Sequence, residues 1–235
     1  MTTVTFTGNE VARPPALIRD QVAEQIRQAI TNLELVPGQV LSERELCEAT
    51  TASRATVREA LRQLQSEGLI VSTTGRGSAV ARLSADAARQ IYEVRSQLEG
   101  LAGRLFAERA DEADRRALRM ELIHVEAAVD DHRGLAKAKA GFYEKLVAGG
   151  RNAELKQLLD MINRRVTAVR LISLSKPGRA AVSVSEVRAI CDAAVAGNAD
   201  LAEKLCRQHV ENAAAAALPQ LDAESVHLPV PLSSA

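Results

Sequence analysis

The sequence predicts a mainly α protein in two parts, an N-terminal winged helix-turn-helix followed by a C-terminal all-α helical bundle. Three observations carry this expectation. Three stretches of helical periodicity lead into two short β-rich runs around a glycine turn, all before about residue 83. From there the chain reads as helix almost to its end. Composition shifts as well, because every lysine falls at Lys137 or later. The expected divisions are an N-terminal arm at 1–14, a winged helix-turn-helix at 15–83, a helical domain at 84–218 and a loose tail at 219–235.

In the first helix Leu17 or Ile18, Val22, Ile26, Ile30 and Leu33 recur at steps of three to five and form one apolar stripe. Pro37-Gly38 breaks the chain. Ser42-Glu43-Arg44-Glu45 reads as a capping box opening a short helix that ends near Thr50. Ser53 caps the next helix, which runs to about Gly68. On a helical wheel Val57, Ala60, Leu61 and Leu64 share one arc, and Arg54, Arg58 and Arg62 fall on the arc beside it. One face packs and the adjoining face is positive. Leu69–Thr73 and Ser78–Arg82, joined by Thr74-Gly75-Arg76-Gly77, predict a hairpin. In such an arrangement the second helix enters the major groove by its N-terminus and the hairpin touches the backbone or minor groove.

Composition narrows the function classes. The 235 residues hold 30 basic and 30 acidic side chains, so overall charge does not advertise a nucleic-acid partner. A neutral domain still binds DNA when its cations are placed on one face. Aromatic residues are only Phe6, Tyr92, Phe106, Phe142 and Tyr143, too few for a surface that stacks a run of unpaired bases. Cys47, Cys191 and Cys206 have no C-x-x-C spacing, which disfavours a zinc ribbon or dithiol pair and fits the cytoplasm. The N-terminus lacks the pattern of a signal peptide, and no apolar run reaches the roughly 18 residues of a membrane span. An enzyme is not expected. Asp130-Asp131 reads as a solvated helix end, and His124, His132 and His227 form no ligand cluster.

The motifs Pro37-Gly38, Leu41-Ser42-Glu43-Arg44-Glu45-Leu46 and Ser53-Arg54-Ala55-Thr56-Val57-Arg58-Glu59-Ala60-Leu61 resemble the GntR family of bacterial winged-helix regulators. Leu64-Gln65-Ser66-Glu67-Gly68-Leu69-Ile70 and Gly75-Arg76-Gly77 extend the match over roughly residues 15–82. The resemblance implies a homodimer on a double-stranded DNA operator, repression as the default sign, and DNA contacts at Arg44, Ser53, Arg54, Thr56, Arg58, Gly75 and Arg76. Arg54 and Arg58, four apart, suit guanine O6/N7, where each good pair discriminates by roughly 1–3 kcal/mol. Arg44 and the Ser53 and Thr56 hydroxyls suit phosphate. Gly75 permits the wing turn and Arg76 suits a narrow minor groove.

The second half resembles the helical effector domain of the FadR-type (FCD) branch of that family. Glu93-Val94-Arg95 with Leu98-Glu99, Phe142-Tyr143 with Asn152-Ala153-Glu154-Leu155, and Ser185-Glu186-Val187-Arg188-Ala189-Ile190 with His209 carry the likeness. Six helices are expected, near 85–109, 112–130, 134–148, 152–174, 180–197 and 199–217, a count that points to the shorter VanR-like subgroup. Ile91, Val94, Leu98, Leu101 and Leu105 predict a continuous packing seam in the first of them.

Many members of this branch hold a divalent metal with one aspartate and three histidines. The corresponding positions here are Lys139, Tyr143, Val187 and His209. An ammonium cannot coordinate a metal and one imidazole is not a site, so no metal or other cofactor is expected. Lys139 would supply the positive charge in the metal's place and, with Arg95, Tyr143 and His209, grip an anionic effector. The residues leave two other readings open, an apolar-ligand cavity and a helical half that only dimerises.

Overall fold

The apolar stripe of the first helix folds as the spacing predicts, over α1 (Pro14–Thr31), with Val22, Ala23, Ile26 and Ile30 buried. Leu17 and Ile18 stay exposed, so the buried stripe begins one turn later than the sequence suggests. The computed structural model describes residues 14–73 and 77–226. The expected arm at 1–14 lies outside the described residues except for Pro14, which opens α1.

α2 (Glu43–Thr50) and α3 (Arg54–Ser66) are each started by a serine. Ser42 Oγ accepts from the Glu45 amide at 3.3 Å, and Ser53 Oγ accepts from the Thr56 amide at 3.2 Å. Each cap satisfies a helix-end donor that otherwise has no partner, worth about 1 kcal/mol. Thr51 ends α2 in the left-handed region at φ 54, which turns the chain sharply into α3. Val57, Ala60, Leu61 and Leu64 are the buried side of α3, the arc the wheel assigned to packing. They join α1, Leu41, Leu69, Ile70 and Val80 in one core. Arg27 closes its edge by donating to Glu67 through Nε at 2.9 Å and Nη2 at 2.7 Å.

The hairpin strands β2 (Ile70–Thr73) and β3 (Gly77–Val80) pair antiparallel with Ile70 opposite Val80. A third strand, β1 (Val40–Leu41), pairs with β3 on its other side, giving the order β1-β3-β2. Two residues give no alternation to read, so this strand left no signal in the sequence.

The chain divides into two units, Met1–Arg82 and Leu83–Ala235. Among the described residues the second contains seven helices: α4 (Ala85–Arg109), α5 (Glu112–Ala127), α6 (His132–Gly149), α7 (Ala153–Arg165), α8 (Thr167–Ser175), α9 (Arg179–Val195) and α10 (Ala199–Val226). The expected helix at 152–174 is two, because Val166 leaves helical geometry at φ −100 and ψ 7. The count of six that pointed to the VanR-like subgroup is therefore not met. Asp131, read as a solvated end, caps α6 by accepting from the Arg133 amide at 3.0 Å.

α4 is the axis of this unit and lies mainly along α10. Its expected seam is only partly inward. Ile91 and Leu105 are buried, whereas Val94 and Leu101 are exposed. The buried side instead runs through Ala88, Tyr92, Arg95, Ser96, Glu99, Ala102, Gly103 and Phe106. Gly103 lets the two helices approach closely, since a Cβ there would lie 2.7 Å from Cys206 Sγ and 2.9 Å from the Ala202 carbonyl. The tail expected from 219 is helical through Val226, and 227–235 lie outside the described residues. Pro219 gives up one hydrogen bond, but buried Leu221 packs with Ala85 and Ala88 and holds the helix beyond it.

Candidate nucleic-acid interface and ligand cavity

The N-terminal half of α3 is built to face outward with charge. Arg54, Arg58 and Arg62 are all exposed, on the arc beside the packed side formed by Val57, Ala60, Leu61 and Leu64. Ser53 Oγ and Thr56 Oγ1 lie 2.9 Å apart at the head of this helix, where unpaired amides and the helix dipole also favour an anion. Arg44, on α2, is exposed and reaches Glu48 at 3.4 Å. Gly75 and Arg76, the expected wing-tip contacts, lie outside the described residues.

Arg58 is not free. Its Nε donates to both carboxylate oxygens of Glu43, at 3.0 and 2.9 Å, and this holds the Glu43 carboxyl below the usual carboxylate range. The bond engages one edge of the guanidinium and fixes its direction. Glu43 was quoted in the family motif but given no role. Fifteen residues separate the pair, so helix spacing alone could not join them.

In the helical unit the four expected effector residues, Arg95, Lys139, Tyr143 and His209, come together around one cavity. They arrive on three helices, α4, α6 and α10. The cavity measures about 380 Å³, counting the space open to solvent at its mouth. Arg170 and Ser173 of α8 add to its polar lining, and Ala136, Leu174 and Ala213 supply apolar lining.

The polar side carries more positive than negative charge. Arg95 donates through Nε to Glu99 at 2.7 Å, and both are almost wholly buried. Arg170 lies 3.9 Å from the same carboxylate, so one acid serves two guanidinium groups. Burial, then the neighbouring Arg95, brings Arg170 down to about 10.

Among the described residues Lys139 has no carboxylate within bonding distance. Its Nζ lies 2.6 Å from Ser183 Oγ and 3.0 Å from His209 Nε2. The residue as a whole is half-buried, and its ammonium is enclosed away from water. That desolvation, then Arg170, Arg95 and Arg179, lowers its pKa to about 7.

His209 is fully buried, and burial followed by the charge of Lys139 lowers it to about 3. It is a neutral ring in the pH range of a cell, with Nδ1 at 2.5 Å from Glu186. Burial opposes the charge of Glu186, but donors from His209, Arg179 and Asn212 outweigh it and hold the carboxyl at about 2. Tyr143 stacks 6.1 Å from the His209 ring, and its burial drives the phenol well above its ordinary range.

These contacts show what stands at the positions of the family metal. The His209 nitrogen left over by Glu186 faces an ammonium, Tyr143 presents a neutral phenol, and Val187 is a buried aliphatic. Among the described residues no group of three or more His, Cys, Asp or Glu side chains is gathered. The donor set does not fit a divalent cation.

The sequence patterns assign no site role to Arg170, Ser173, Ser183, Arg179 or Glu186. Ser183 and Glu186 share the helix with Val187 at spacings that place Ser183 on the same face, a usable signal once Val187 is set at the site. Arg170 and Ser173 are three apart, but the break at Val166 hides which face they present.

Residues 18–80 match the bacterial regulatory proteins of the gntR family, and residues 90–212 match the FCD domain. The HTH-type transcriptional regulator YdhC of Bacillus subtilis is 30% identical over 195 residues, 81% of this chain and 84% of that one. A probable D-xylose utilization operon transcriptional repressor of Paenarthrobacter nicotinovorans is 31% identical over 200 residues, 83% of this chain and 88% of that one. The crystal structure of a GntR-type transcriptional regulator from Rhodococcus sp. RHA1 superposes with a TM-score of 0.69 at 25% identity, covering 87% of this chain and 97% of the other. No helix among the described residues is long and apolar enough to cross a membrane.

Proposed function

This chain belongs to the gntR family of bacterial regulatory proteins and carries an FCD domain, so it is a DNA-binding transcription regulator and not an enzyme; from that premise we propose that it is a homodimeric, cytoplasmic repressor controlled by a small molecule held in its helical unit. One observation supports the control most directly. Arg95 and Tyr143 line the cavity, and Arg95 Nη1 and Tyr143 Oη are buried with no hydrogen-bond partner among the described residues. An unpaired buried donor costs roughly 1–3 kcal/mol, and a bound ligand with acceptors removes that cost.

On the DNA side, Arg54 and Arg58 read guanines in the major groove, while Arg44, Ser53 and Thr56 fix the phosphates. A two-fold dimer pairs with a near-palindromic operator. Selection of bound sequences from a random duplex pool tests this. The full chain should enrich a site with two-fold symmetry. Arg58→Ala should lose base preference at one position per half-site, worth roughly 1–3 kcal/mol, with non-specific binding retained. No enriched sequence, or the same preference in Arg54→Ala and Arg58→Ala as in the parent, would overturn the assignment.

A further inference from the structure

The enclosed polar groups of the helical unit do not balance. Arg95, Arg170, Arg179 and Lys139 supply four cationic side chains, and Glu99 and Glu186 are the carboxylates paired among them. Glu186 is already taken up by Arg179, His209 and Asn212, and Glu99 by Arg95 with Arg170 nearby. Lys139 is left with a hydroxyl and a ring nitrogen. A buried cation without a counter-ion is costly, and the open volume beside it is where a counter-ion fits.

Residues that line the same space carry orphaned donors. Arg95 Nη1 and Tyr143 Oη lack partners, and an ammonium has three donors of which Lys139 uses two on the protein. Glu99 Oε2 and the Arg179 Nε and Nη1 atoms also lack partners, but neither residue lines the cavity. The lining also includes hydrocarbon, from Ala136, Leu174 and Ala213. Polar donors and hydrocarbon in one lining match an anionic head with a short apolar body. A bare phosphate would leave the hydrocarbon without a partner.

We propose that this cavity is a metal-independent site for a small carboxylate, gripped by Lys139, Arg95 and Tyr143, with its hydrocarbon part against Ala136, Leu174 and Ala213. Lys139 then does by direct hydrogen bonding and charge what a bound cation would do by coordination. The proposal rests on reading the helical unit as the ligand-sensing part.

The test uses the full chain after chelator treatment. Thermal melts and titration calorimetry are run with straight-chain carboxylates from acetate to hexanoate, with succinate, and with the matching neutral amides. Inorganic phosphate, zinc and nickel are tested separately. At least one carboxylate should raise the melt by roughly 5–10 °C at 100 times its Kd, equally with and without chelator, while its amide does nothing. Lys139→Met should weaken that carboxylate at least tenfold. No response to any carboxylate, a response to phosphate alone, or a response that requires zinc or nickel overturns the site. So does a Lys139→Met variant that binds as the parent does. If that variant fails to fold, the chelator and amide comparisons on the parent decide. A carboxylate that passes every test yet leaves DNA affinity unchanged overturns the regulatory reading and leaves the site standing. Control of DNA binding by a neutral compound that occupies another place does the reverse.

Discussion

Lys139 carries an electrostatic consequence that unfolding experiments can read. Its pKa of about 7 lies below the ordinary lysine value of 10.5, so between those limits the unfolded chain holds a proton that the folded chain lacks. Stability must then rise with pH across that window, and the penalty is complete below about 7. Relative to Lys139→Met, the ligand-free parent should be less stable at pH 7 and recover by a few kcal/mol towards pH 10, read by urea unfolding at each pH. A difference that stays flat across the window would mean that the ammonium is already compensated. At this scale much of the site was legible. Arg95, Lys139, Tyr143 and His209 stand at motif positions and line one cavity, and Glu99, four residues from Arg95, is buried with it. The Arg58–Glu43 bond and the role of Glu186 were not legible, because each joins residues that only tertiary packing brings together.

Among the elements, helices with a cap and a clean amphipathic stripe were readable, α3 most clearly, since its packed and positive arcs are adjacent and distinct. α4 was read less well. It is buried over so wide an arc that polar Arg95, Ser96 and Glu99 lie inside it, and a seam drawn only through Val, Leu and Ile misses that side. The break at Val166 carries neither glycine nor proline, so the pattern of α7 ran on into α8. The close approach of α4 and α10 gives a sharp expectation. Gly103→Ala would place its Cβ against Cys206 Sγ and the Ala202 carbonyl, and backbone cannot rotate away as a side chain can. It should destabilise the chain by about 1–3 kcal/mol in chemical denaturation, although alanine is the better helix former. A neutral or stabilising effect would show that the helices separate at no cost.

For the molecule as a whole, the function depends on two units of separate core, one presenting arginines from α3 and one enclosing a cation-rich cavity. Their existence was legible from the change in periodicity near residue 83, whereas the extent of α10 past Pro219 was not, because the packing of Leu221 overrides a local helix breaker. Control requires that ligand and DNA each change the other's affinity by the same factor, typically 5- to 150-fold. The direct measurement is the Kd of the selected operator with and without saturating carboxylate, alongside the Kd of the carboxylate with and without operator. The account predicts equal factors, with operator binding weakened by the ligand in the parent and unaltered by it in Lys139→Met. An operator affinity that the bound carboxylate leaves unchanged would contradict it.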